Sequence, residues 1–263
     1  MFWFLWILFT NLVFLFDHTR NELLTYFQIA RNAYSASDLE EFELLDRVNT
    51  KLIAKAYKTK KNEVVIAFKG TTLQLLGVKM GETAKKDYKT NRLLFSCAVK
   101  NEKKLKKLET FQYYKKGLKI VDKIQKMFPK SKIVLTGHSL GGALASIIAS
   151  SLGISAICFS SPGEKHAFKS LNIVEKSDKI VHFGMCNDCI YMGGCETSLS
   201  ACSLAGYQIE TRCHLGVSYC MEAPGFLGII PHTSFFIEKM IKYGVLLKEL
   251  DNKDCLDCEE YNL

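Results

Sequence analysis

The sequence predicts an α/β fold built on a mostly parallel sheet with helices on both faces. Strand-like runs alternate with helix-like runs along most of its 263 residues. The clearest unit is a buried-type strand over residues 132–136 that turns through Gly137-His138-Ser139-Leu140-Gly141-Gly142 into a small-residue helix from Ala143 to Ser151. The apolar share of 48% is twice the charged share of 24%, enough for one sizeable core, and it excludes a disordered or collagen-like chain.

The other elements follow from local periodicity. Residues 19–36 read as a helix with Leu23, Leu24, Phe27, Ala30 and Tyr34 on one face. Two β-rich runs, 52–57 and 63–68, form a hairpin or neighbouring strands. The chain is then irregular to residue 101. Leu108, Phe111, Tyr114, Leu118, Val121, Ile124 and Phe128 recur at spacings of three and four, an amphipathic helix closed by Pro129. Further strands are expected over 154–159 and 179–184, an extended segment over 206–214, and a last helix over 233–248. No repeat or linker divides the chain, so residues 19–263 are expected to form one domain.

The N-terminus stands apart. Met1 to Phe16 contains 14 apolar side chains, broken only by Thr10 and Asn11 and ended by Asp17, His18, Thr19 and Arg20. Such a run is short for a membrane span of roughly 20 residues and reads as a signal peptide or a signal-anchor over residues 1–18. Either address leads into the secretory pathway. The cysteines agree, because eight of the ten lie between Cys186 and Cys258, a pattern that stapling of the C-terminal third in an oxidising compartment explains. Cys186-x-x-Cys189 and Cys255-x-x-Cys258 also have zinc-pair spacing, the less favoured reading. Cys158, inside an expected strand, is the expected free thiol.

Gly137-His138-Ser139-Leu140-Gly141 fits the G-x-S-x-G nucleophile elbow in its required context of strand before and helix after. A serine hydroxyl is a weak nucleophile and needs a base, which in turn needs an orienting carboxylate. In α/β-hydrolases these follow in the order acid, then histidine. Asp188, after the strand over 179–184, lies at the carboxyl edge of the sheet, whereas Asp178 precedes that strand; Asp188 is favoured. His138 is expected to pack or orient, and His182 to be a buried, hydrogen-bonded side chain. His166 and His182 both precede the acid. Between the remaining candidates, His214 beside Cys213 and His232 before the last helix, His232 is preferred. Leu140 would supply one oxyanion N–H, and Thr71, after the strand ending Phe68-Lys69-Gly70, a second donor.

With those residues in place, Val64 to Thr71 together with Gly137 to Gly142 resembles the fungal-type, class 3 lipases, whose oxyanion motif is F-R-G-[ST]; Lys69 stands where that motif has arginine. The resemblance is closer still to the autophagy-related vacuolar lipases of fungi. It is carried by Lys85-Lys86-Asp87 through Cys97, Ser161-Pro162-Gly163-Glu164, His182-Phe183-Gly184, Asp188 to Gly194, Cys202 to Tyr207, Glu210 to Gly216, and Cys255-Leu256-Asp257-Cys258. The resemblance implies an α/β-hydrolase fold with Ser139, Asp188 and His232 as the triad and no cofactor or metal. It also implies a single-pass membrane protein with a lumenal catalytic domain, in endosome- or vacuole-type vesicles, or a secreted protein if the N-terminus is cleaved.

The expected activity is hydrolysis of ester bonds in phospholipids or neutral lipids during breakdown of autophagic or intravesicular membranes. A secreted esterase or triacylglycerol lipase is the runner-up, and a membrane-binding pseudoenzyme the rival from another class. Residues 51–132 carry 23 Lys plus Arg against 6 Asp plus Glu, so the net charge of +8 is a local feature suited to an anionic membrane surface, or a solvated lysine-rich face. Nucleic acid is not an expected partner, because the address is lumenal, and no obligate protein partner is inferred. Residues 73–107 are a candidate lid or a solvated loop.

Overall fold

Among the described residues of the computed structural model, which are 20–50, 52–71, 94–97, 109–171, 174–195, 209–222, 228–244, 247–252, 255 and 257, eight strands form one sheet in sequence order. They are β1 (Glu43–Asn49), β2 (Ile53–Lys58), β3 (Glu63–Phe68), β4 (Lys132–His138), β5 (Ser155–Phe159), β6 (Ile180–Met185), β7 (Val217–Met221) and β8 (Leu247–Leu250). Strands β3 to β7 pair in parallel, while the edge pairings β1–β2, β2–β3 and β7–β8 are antiparallel. The register pairs Phe68 with Gly137, His138 with Phe159, Phe159 with Phe183 and Met185 with Met221. The carboxyl ends of the central strands therefore finish on one edge, where ligands of such sheets bind.

Alternation along the strands divides the core into two layers. Val64, Ile66 and Phe68 of β3 join Ile133 and Leu135 of β4 against α2 (Glu109–Met127) and α3 (Leu140–Leu152). On the other face, Val65, Ala67 and Val134 pack against Tyr26, Phe27, Ile29 and Ala30 of α1, a helix over residues 20–32, and against Ile237 and Ile241 of α5 (Ser234–Tyr243). The α/β-hydrolase architecture expected from the sequence, with helices on both faces, is thus present. Val121 and Ile124 of α2 are buried in the first layer while Lys115, Lys119, Lys123 and Lys126 are exposed, so the helical share of the basic segment is a solvated face.

Several elements depart from expectation. The sheet gains an edge strand in β1, and α4 (Lys165–Ser170) follows β5. The expected helix over 233–248 stops at Tyr243, because Gly244 adopts the left-handed cap at φ 67°, and the chain re-emerges as β8. The extended segment expected at 206–214 is irregular where it is described, tied down by Glu210 N–H to Phe95 O and by Arg212 N–H to Asp257 Oδ1. Regular pairing begins only at Val217. Met1 to Phe16 and most of the candidate lid lie outside the described residues; of the latter, Leu94 and Phe95 are buried against Leu140 and Ala143. No helix among the described residues is long and apolar enough to cross a membrane.

Two disulfides are described in the C-terminal third. Cys186 bonds Cys220, joining the end of β6 to β7, and Cys213 bonds Cys255. Cys97 and Cys195 are also disulfide-bonded. These pairings split both Cys-x-x-Cys motifs and overturn the zinc-pair reading. Cys158 is a free buried thiol, as the sequence suggested; Cys189 is a second, its pKa pushed up to about 12 by burial and by the neighbouring Asp188.

Candidate active site

The site is built where β4 turns into α3. Ser139 lies between them with φ 59° and ψ −133°, a backbone conformation that side chains rarely occupy and that costs about 1–3 kcal/mol. Packing enforces it. Ser139 N–H donates to Phe159 O on β5 at 3.0 Å, and its carbonyl accepts from Gly142 N–H at 2.9 Å. A Cβ on Gly141 would come closer than 3.0 Å to Phe68 O, Gly70 N and Lys69 C, so only glycine lets the loop after β3 lie against the elbow.

The structure brings Ser139, His232 and Asp188 into one buried line. His232 Nε2 is 3.0 Å from Ser139 Oγ, and His232 Nδ1 is 2.8 Å from Asp188 Oδ2. Asp188 Oδ1 accepts from Ile190 N–H at 2.9 Å, which orients the carboxylate. His232 closes a short 3₁₀ turn, Ile230–His232, just before α5. A hydroxyl, imidazole and carboxylate in this order can move the serine proton onto the ring while the hydroxyl oxygen attacks an electrophile. Asp178 precedes β6, at the sheet's other edge.

The two oxyanion candidates sit beside this line. Leu140 is the first residue of α3, where a backbone N–H has no intrahelical acceptor. Thr71 is buried directly after Gly70, in the loop held against the elbow. Lys69 Nζ lies 5.4 Å from the centre of the Tyr34 ring, so this lysine packs on an aromatic face.

Two other histidines take structural places. His182 and His214 flank Glu164 in a fully buried cluster: His182 Nε2 is 3.0 Å from Glu164 Oε1 and His214 Nδ1 is 3.3 Å from Oε2. Ser146 Oγ and Leu215 N–H also donate to Oε1, and Ser161 Oγ contacts His182 Nδ1 at 2.8 Å. Burial alone would raise the Glu164 pKa, but His182 and His214 hold it well below the usual carboxylate range. Three potential metal ligands converge here, yet Glu164 already has its oxygens occupied by protein donors. The other convergent set, Cys213, Cys255 and Asp257, has its sulfurs consumed by a disulfide. Sequence reasoning placed His182 as a buried, hydrogen-bonded side chain but missed Glu164. The only signal for Glu164 was a charged residue in an otherwise small-residue turn.

The fold and site together define an α/β-hydrolase domain with a Ser-His-Asp constellation. The chain belongs to the phospholipase-like family: the model of the Tle-like phospholipase domain matches residues 25–172, more than half of it. It is 33% identical over 232 residues to the protein of Candida glabrata named "Putative lipase ATG15", covering 74% of this chain and 45% of that relative. To the protein of the same name in Saccharomyces cerevisiae it is 33% identical over 238 residues, covering 77% and 45%. The chain thus spans just under half the length of these relatives. Among solved structures, the lipase of Rhizopus microsporus var. chinensis aligns with a TM-score of 0.46 at 14% identity, covering 83% of this chain and 87% of that one.

Proposed function

We propose that this chain hydrolyses carboxylic ester bonds of membrane lipids through an acyl-enzyme formed on Ser139. The observation that carries the reading is the buried line from Ser139 Oγ through His232 to Asp188 at a strained elbow. Ser139 attacks the ester carbonyl carbon as His232 Nε2 takes the hydroxyl proton; Asp188 holds the ring and stabilises the imidazolium. The tetrahedral oxyanion is received by Leu140 N–H and Thr71, each such donor contributing roughly 10²–10³-fold in rate. His232 returns the proton to the leaving alcohol, and water repeats the cycle to release the fatty acid.

A lipid surface, rather than a soluble ester, is favoured by the rim beside His232. Ile230 is 64% exposed and Phe235 60% exposed, with Lys239 Nζ 4.7 Å from the Phe235 ring centre. Apolar side chains capped by a cation suit the boundary between acyl chains and anionic headgroups. The disulfides support an oxidising, lumenal address. The similarity to the two fungal proteins named as ATG15 lipases supports breakdown of autophagic or intravesicular membranes as the setting. The test is fatty-acid release from anionic and neutral phospholipid vesicles, with a water-soluble short-chain ester alongside. Release from vesicles that vanishes in Ser139→Ala is expected; hydrolysis of the soluble ester alone would assign the esterase reading instead.

A further inference from the structure

His232 rides on a three-residue turn, and its two side-chain bonds orient a ring without fixing the height of the backbone that carries it. A second set of contacts does that. His138 Nε2 lies 2.9 Å from the backbone carbonyl oxygen of His232, and the two rings are 4.8 Å apart between centres. At the other end of His138, the Tyr34 hydroxyl lies 3.2 Å from Nδ1 and 3.1 Å from the His138 carbonyl oxygen. A carbonyl only accepts, so Nε2 must carry the His138 proton. In a neutral ring Nδ1 is then an acceptor, and the Tyr34 hydroxyl donates into the pair formed by Nδ1 and the carbonyl oxygen.

Building on the reading of Ser139, His232 and Asp188 as the reacting groups, we infer that Tyr34 and His138 are positioning residues, a directed hydrogen-bond chain from the end of α1 through the elbow that sets where the His232 backbone stands. The same hydroxyl touches the oxyanion side of the site, because a Cβ on Gly70 would come closer than 3.0 Å to both Tyr34 Oη and His138 O. Tyr34 is thus a common support for the oxyanion loop, the nucleophile turn and the base. Charge is managed as well as position. Burial, with the nearby His232 adding to it, lowers the His138 pKa to about 3, so no second cation faces His232 when it becomes imidazolium.

The experiment uses the full chain, with kcat expressed per active site titrated by a fluorophosphonate, and melting curves to confirm that each variant is folded. Misplacing a catalytic group by about 1 Å costs on the order of 100-fold. Tyr34→Phe, which removes only the hydroxyl, is accordingly expected to lower kcat by roughly 10-fold with KM within about twofold. His138→Phe keeps a ring but no donor and is expected to lose on the order of 100-fold, whereas His138→Gln, whose amide N–H reaches the His232 carbonyl, recovers to within roughly 10-fold of the parent. Wild-type kcat in Tyr34→Phe and His138→Phe, or equal losses in His138→Phe and His138→Gln, would overturn the chain while leaving the relay intact. Hydrolysis that survives in Ser139→Ala would overturn the relay itself.

Discussion

His138 should make the fold pay for acidity, and the size of the effect follows from its burial. The folded protein keeps this ring neutral down to about pH 3, whereas the unfolded chain protonates it near 6.5. Between those values the unfolded state binds more protons, so stability falls as pH drops below 6.5, at about 1.4 kcal/mol for each pH unit. From neutrality to pH 5 the loss is about 2 kcal/mol. Glu164 does not mask it, since a lowered carboxylate pKa keeps its stabilising contribution complete above the unfolded value of 4.5 and gives it up only below. His214, also lowered chiefly by burial, acts in the same direction as His138 and remains in both proteins compared. The assay is urea unfolding of the disulfide-intact chain at pH 7 and pH 5, for the parent and for His138→Gln. The parent should lose about 2 kcal/mol more than the variant across that interval. Equal losses would refute the assignment of a neutral, proton-excluding His138.

Three further outcomes are expected. Gly141→Ala drives a methyl into Phe68 O and the Gly70 backbone, so it should cost roughly 1–3 kcal/mol by thermal unfolding and abolish ester hydrolysis even where the protein folds. Ser139→Gly removes both nucleophile and backbone strain; it should melt higher than Ser139→Ala, by about 1 kcal/mol, with both inactive. Removing the Cys186–Cys220 bridge as the paired Ser variant frees a 34-residue separation next to Asp188, with an expected loss of roughly 3–4 kcal/mol in chemical denaturation and a fall in kcat.

The parts legible in the sequence were those where one residue pattern had one physical meaning. Val64–Phe68, Lys132–His138 and Ser155–Phe159 are apolar runs that only a doubly covered sheet can bury, and each was placed to within a few residues. That Ser139, Asp188 and His232 meet could be read from the sequence because chemistry imposes their order and the sheet imposes their edge. β1 escaped notice because Glu43–Asn49 is half-exposed and charged, as edge strands are, and so lacks alternation. β8, with Lys248 and Glu249, reads as one more helical turn until Gly244 is seen to end α5. Tyr34 was visible only as one apolar position on a helix face, because nothing local reveals that its hydroxyl meets a residue 104 positions away. The same holds for Glu164, whose partners His182 and His214 come from β6 and a disulfide-held turn.

The central claim is that Ser139 is the nucleophile and that His232 activates it. Its most direct test is to treat the full chain with a lipid-like fluorophosphonate and locate the adduct by mass spectrometry of the proteolysed protein. One phosphonate on the peptide bearing Ser139 is expected, slowed by orders of magnitude in His232→Ala and absent in Ser139→Ala. Rapid labelling at another serine, or unchanged labelling of Ser139 without His232, would contradict the account.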